Sequence, residues 1–271
     1  MALLSINEVT TFRWSFEEDV QRYADAGVRG IGVWRQKLTD YGEEKAAELL
    51  KEKGIKASTL LWAGGFTGSD GRSFRDSIDD GLEAVRQAAL VGAPCLVVYS
   101  GARAGHTHNH ARRLFRDALR ELAAAAKEAN VVLAVEPMHS GCAADWTFLT
   151  TVEDTLTVLD QAESPDHVKM VFDTYHMGFH PRIAARIGDF VNRIALVQLG
   201  DGKNPPEGEQ SRCRLGEGSI PLGELVSALR GAGYNGYYDV ELIGEEFDDA
   251  DYASLVMHAK QSFARLVEAG A

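Results

Sequence analysis

Val168-Lys-Met-Val-Phe-Asp-Thr-Tyr-His176 is the stretch on which the reading of this chain turns. It follows the turn signal Ser164-Pro165-Asp166, opens as a short apolar run, and stops at a carboxylate, Asp173. A β-branched and aromatic run this short reads as a strand buried in a parallel sheet. The pattern returns three times: Val131-Val-Leu-Ala-Val-Glu136 ends in an acid, Ile194-Ala-Leu-Val-Gln198 in an amide and Tyr237-Tyr-Asp-Val-Glu241 in an acid. Four strands that deliver oxygen donors at one end of a sheet point to a divalent-cation site.

Outward from these four, earlier strands are expected at residues 3–7, 30–34, 57–62 and 95–99. Helical patterns separate them. Ser15 with Glu18 forms a capping-box pattern for a helix to about Ala26. Further helices are expected at 41–53, closed by Gly54, at 74–91 and at 112–129, with Leu114, Leu119, Leu122 and Ala126 on one face. Thr150 with Glu153 starts a helix ending near Gln161, and others cover 183–191, 222–229 (stopped by Gly231-Ala-Gly233) and 250–268. Eight strand-helix alternations give an α/β chain with a parallel sheet. No Gly-x-Gly-x-x-Gly follows the first strand and there is no P-loop, so an open nucleotide-binding sheet loses its main support. The expected fold is a (β/α)8 TIM barrel, and 271 residues lie near the length typical of one.

No Pro/Gly/Ser-rich linker or long charge block divides the chain, so residues 1–271 are expected to form a single barrel domain. The first residues lack the basic and apolar segments of a signal peptide, and no apolar stretch approaches a membrane span. The formal charge of −12 argues against nucleic acid or an anionic membrane as the main partner. Three widely spaced cysteines, Cys95, Cys142 and Cys213, suit a reduced, cytoplasmic setting better than a disulfide framework. A homo-oligomer stays open.

In a barrel, functional groups sit at the carboxyl ends of the strands. Glu136, Asp173, Gln198 and Glu241 occupy such ends on strands five to eight, so they are expected to converge on one cation. Three carboxylates and an amide oxygen are hard donors that suit Mg2+ or Mn2+ better than a Cys/His-rich zinc site, with other divalent cations open. His176 lies three residues past Asp173, within reach of substrate or metal. His139 closely follows the Glu136-Pro137 pair and is a candidate substrate contact. Trp14, Trp34 and Trp62 are candidate apolar walls for a bound ring or parts of the core. His106, His108 and His110 read more as a solvated helix start than as a second metal site, and Asp201 and Lys203 as loop polar groups.

Val135-Glu-Pro-Met138, Phe172-Asp-Thr-Tyr-His176, Val197-Gln-Leu199, Arg212-Cys-Arg-Leu-Gly-Glu-Gly218 and Asp239-Val-Glu-Leu242 also carry a resemblance. In order and spacing the chain resembles the xylose-isomerase-like sugar isomerase and epimerase superfamily, over nearly its whole length. That group includes tagatose/psicose 3-epimerases, hydroxypyruvate isomerase and inosose dehydratase. The resemblance implies a small carbohydrate substrate, a metal on Glu136, Asp173, the strand-seven residue and Glu241, and contacts to substrate oxygens from His176 and Arg212, with Arg214 as the alternative. It also implies that Glu136 and Glu241 double as acid/base groups. Two departures stand out: strand seven supplies Gln198 where the family usually has histidine, and no acid shortly follows the Glu-Pro pair. The second is closer to the dehydratase-like branch.

A cation on a carbonyl and its neighbouring hydroxyl stabilises an enediolate. A carboxylate can then remove the α-proton if its surroundings raise its pKa towards the working pH. Return of the proton to the opposite face epimerises, return to the adjacent carbon isomerises, and loss of a β-leaving group makes a lyase or dehydratase of keto-sugars or keto-cyclitols. The expected function is therefore a metal-dependent sugar isomerase or epimerase, with the lyase as alternative. A three-zinc apurinic endonuclease fits poorly, because the chain is acidic and lacks histidines at the strand ends. A non-catalytic sugar-binding module would not need two candidate bases.

Overall fold

The computed structural model describes residues 2–269. The strands are β1 (Leu3–Asn7), β2 (Gly30–Trp34), β3 (Lys56–Ala63), β4 (Cys95–Val98), β5 (Val132–Val135), β6 (Val168–Asp173) and β7 (Ile194–Leu199). After β7, the short strands β8 (Asp201–Gly202) and β9 (Arg212–Cys213) pair with each other before β10 (Tyr237–Val240) returns to the main sheet. Eight of these strands close into a barrel in the order β1-β10-β7-β6-β5-β4-β3-β2. Every barrel pair is parallel.

The first five helices are α1 (Phe16–Asp25), α2 (Arg35–Tyr41), α3 (Glu43–Lys53), α4 (Phe74–Val91) and α5 (His108–Ala129). They are followed by α6 (Val152–Gln161), α7 (Thr174–Met177), α8 (Ile183–Phe190), α9 (Leu222–Gly231) and α10 (Tyr252–Ala269). Helical crossovers are what join neighbouring parallel strands, and they bury an apolar stripe against the outside of the barrel. In α5 that stripe is Phe115, Ala118, Leu119, Leu122 and Ala126, all buried, whereas the expected Leu114 is half-buried at its edge.

Local chemistry sets the boundaries. Ser15 and Glu18 cap α1 reciprocally, as their spacing predicts, and Ser73 with Asp76 caps α4 in the same way. The single helix expected at 41–53 is instead two, because Gly42 takes φ +101°, a conformation that ends α2 and opens α3. The cap of α6 is Thr151, whose hydroxyl accepts from the Asp154 amide, and not Thr150. Helix α5 begins four residues earlier than its apolar pattern, at a Thr107 cap.

The closed order makes β5, β6, β7 and β10 consecutive neighbours. Asp173 pairs with Gln198 across β6 and β7, and Gln198 with Asp239 across β7 and β10. Below that level the interior is polar: Asp239 accepts from Ser5 at 2.5 Å, Asn7 at 2.8 Å and Ser58 at 3.2 Å. Those three hydroxyl and amide donors are what let a carboxyl lie fully buried there.

Candidate active site

Glu136 directly follows β5, Asp173 ends β6, Gln198 is the penultimate residue of β7 and Glu241 directly follows β10. All four are buried. Both carboxylate oxygens of Glu136 lack a hydrogen-bond partner. Burial first, then the negative charges of Glu241 and Asp173, hold its carboxyl well above the usual range. Burial also pushes Glu241 up to about 8, against the pull of Arg212 and with help from Asp173 and Glu209. Gln198 turns its amide Nε2 to Glu241 Oε2, which leaves its Oε1 buried and without a donor. Asn7 Nδ2 donates to the same Glu241 oxygen at 3.1 Å and to Asp239 at 2.8 Å, tying the site to the interior beneath it.

Arg212, on β9, is a fully buried side chain placed among the acids. Its Nη1 donates to Asp173 Oδ2 at 3.0 Å; its Nη2 lies 3.0 Å from Glu209 Oε2 and 3.4 Å from Glu241 Oε1. The guanidinium stacks on the Tyr175 ring, 4.3 Å from its centroid, and Tyr175 is itself fixed by a 2.6 Å bond from its hydroxyl to Gly208 O. A side chain at Gly200 would collide with Arg212 Nη1, so this glycine makes room for the arginine. Arg214, the alternative anchor, is only half-buried and is not hydrogen-bonded to any of these acids.

His176 sits on α7, a one-turn helix capped by Asp173, whose Oδ1 accepts from the Tyr175 amide at 2.6 Å. Its Nε2 lies 3.4 Å from Glu209, 3.7 Å from Glu136 and 3.8 Å from Asp173. Burial, the largest influence, lowers the pKa of His176 and favours neutral imidazole. His139 is half-buried, accepts from the Gly141 amide at 3.2 Å, and lines a cavity of about 270 Å³ together with His176, Phe179 and Pro205.

The remaining candidates lie away from this cluster. His108 and His110 lie in the first turn of α5, and His106 Nε2 is 3.2 Å from Thr67 O. None of the three belongs to a group of three donors close enough to share an ion, among the described residues. Trp62 packs against Tyr99 and Trp146, while Trp14 and Trp34 line a separate recess beside Phe12 and Tyr41. Lys203 is an exposed loop residue, but Asp201 is not. It is buried and accepts from the amides of Gly202, Gly216 and Gly218, so it organises the loop that carries Arg212. Sequence reading missed Glu209, three residues before Arg212, and Asn7, read only as the end of a strand.

The donor set fits a divalent cation. A buried oxygen with no donor costs about 1–3 kcal/mol, and Glu136 and Gln198 together present three of them. Donor atoms of Glu136, Asp173 and His176 lie within 4.8 Å of one another. Glu241 closes the side formed by Gln198 and Arg212.

A family model described as xylose isomerase-like TIM barrel matches residues 20–263. The chain belongs to that family. Among its relatives, D-psicose 3-epimerase from Enterocloster bolteae is 34% identical over 119 residues, 44% of this chain and 36% of that enzyme. An inosose isomerase from Halalkalibacterium halodurans is 27% identical over 157 residues, 55% of this chain and 52% of its own length. The aligned parts thus span about a third to a half of these two relatives. The solved structure of the IOLI protein with a binding zinc atom superposes with a TM-score of 0.85 over 98% of each chain, at 20% identity. At that identity the likeness concerns the barrel alone.

Proposed function

We propose that the protein is a divalent-metal-dependent isomerase or epimerase of a keto-sugar or keto-cyclitol. The observation that carries the reading is the pair Glu136 and Glu241: two buried carboxyls of raised pKa in one site, flanked by Arg212 and His176. The names of the two relatives, one an epimerase and one an isomerase of a cyclic ketone, support the substrate class. The zinc in the IOLI protein supports metal use. The hard oxygen donors favour Mn2+ or Mg2+ here. Three buried free thiols suit a reducing compartment such as the cytoplasm.

A divalent cation held by Glu136, Asp173, Gln198 and Glu241 would stabilise negative charge on the substrate oxygens. Arg212 Nη2 and His176 Nε2 orient those oxygens through hydrogen bonds. The carboxylate of one glutamate then takes the proton from the carbon beside the carbonyl. The carboxyl of the other gives a proton back, either to the opposite face of that carbon or to the adjacent carbon. The neutral state of His176 leaves it free to accept or donate at Nε2 without adding charge.

Incubation with a panel of keto-sugars and keto-cyclitols plus Mn2+ in deuterated water, read by NMR, tests the reading. The expected product is isomerised or epimerised and carries deuterium at the α carbon. A dehydrated product instead would establish the lyase alternative, and absence of exchange across the panel would overturn both. Glu136→Gln and Glu241→Gln should each lower kcat by about 10²–10⁴-fold. Near-normal turnover in either variant removes that residue from the acid/base role.

A further inference from the structure

Next to the hard-donor site lies a second group of side chains with different chemistry. Cys142, from the loop after β5, His176, on α7, and Glu209, from the loop between β8 and β9, each bring a donor atom within 4.8 Å of the other two. We propose that these three residues form a binding site for a thiophilic divalent cation of the Zn2+ or Co2+ kind, separate from the oxygen-lined site.

The donor types support this. One sulfur, one ring nitrogen and one carboxylate oxygen, with a fourth position left open, make an open tetrahedral zinc site. The edges of such a tetrahedron are about 3.3–3.8 Å, from metal–ligand distances of about 2.0–2.3 Å. His176 Nε2 and Glu209 Oε1 already stand 3.4 Å apart, the separation of two atoms that share an ion. Glu209 Oε1 is buried with no hydrogen-bond partner. His176 Nδ1 is also unpartnered, so no hydrogen bond commits the ring to a tautomer that would deny Nε2 to a metal. Cys142 is a buried free thiol. Asp173, Glu209 and Glu241 share one buried cation, Arg212, and burial with the charge of Glu209 pushes the Cys142 thiol up to about 12, a proton that a bound thiophilic cation would displace.

Ligand softness separates the two sites. A thiolate selects Zn2+ over Mg2+ or Mn2+, whereas the oxygen set beside it does not. They meet at His176, whose Nε2 also faces Glu136 at 3.7 Å and Asp173 at 3.8 Å. An ion on Cys142, His176 and Glu209 therefore withdraws the histidine from substrate, and Zn2+ inhibits the enzyme loaded with Mn2+. That consequence rests on the proposed function; the site itself does not.

The test is metal binding to the whole protein, with no substrate present. Zn2+ added to Mn2+-saturated protein should show a zinc–sulfur path near 2.3 Å in X-ray absorption. Co2+ should give a thiolate charge-transfer band in the wild type that persists in Asp173→Asn and disappears in Cys142→Ser. A zinc shell of nitrogen and oxygen alone, measured on the wild type and so independent of how any variant folds, overturns the site. A band that survives Cys142→Ser overturns the assignment to this cysteine. If the sugar reading holds, Zn2+ should raise KM several-fold in the wild type and less in Cys142→Ser; equal inhibition of both overturns the inhibitory role alone.

Discussion

Single side chains at the mouth of this barrel face a charge problem twice. Besides the catalytic candidates, Glu8, Asp19 and Lys37 form a buried cluster after β1. Lys37 Nζ donates to Asp19 Oδ2 at 2.6 Å, to Thr11 O at 3.0 Å and to Glu8 O at 3.2 Å. One ammonium cannot neutralise two carboxyls, so a proton stays. Burial, reinforced by the charge on Asp19, holds the Glu8 carboxyl well above its usual range. An acid whose pKa is raised on folding contributes stability below its unfolded pKa, and that contribution is lost as pH rises through the folded value. Glu8→Gln, which mimics the protonated acid, should therefore gain stability relative to the wild type between about pH 5 and about pH 9. Urea unfolding at both ends of that range measures it; a difference independent of pH removes the buried proton from Glu8. The same scale shows what spacing alone cannot reveal. Glu209 sits in the loop after β8 and Asp201 on that two-residue strand, both too short of periodicity for a buried acid and a solvated one to differ in sequence.

At the level of elements, short-range rules located most boundaries, and the misplaced ones show where such rules run out. Thr150 and Thr151 both stand three residues before an acid, so the capping pattern fits either. Only the backbone path decides that Thr151 caps α6. Thr151→Ala should cost about 1 kcal/mol. That corresponds to a fall in Tm of about 2–4 °C in a thermal scan. Thr150→Ala should stay within about 0.5 kcal/mol. Equal effects at the two positions would move the cap. Helix α7 has a comparable lesson: its four residues are too few for a periodic signal, yet they aim His176 into the site.

Over the whole molecule, barrel closure gathers unpaired buried oxygens that a bound cation would satisfy. Mn2+ at about a hundred times its Kd should therefore add about 2.7 kcal/mol to the stability of chelator-stripped protein. Thermal unfolding with and without the metal checks this; an unchanged Tm, retained with full activity in chelator, removes the ion from the site. The sequence by itself determined the barrel and the four strand ends, because short apolar strand runs, 3.6-period helices and glycine stops are written within a few residues of one another. It also singled out Arg212 and His176 as neighbours of the chemistry. Only the tertiary structure decided that Glu209 and Cys142 join them, that Asn7 braces Glu241, and that Arg212 lies wholly buried. Those contacts link segments as far apart as Asn7 and Glu241, and burial, which sets their pKa values and orphans their oxygens, exists only once the barrel has closed.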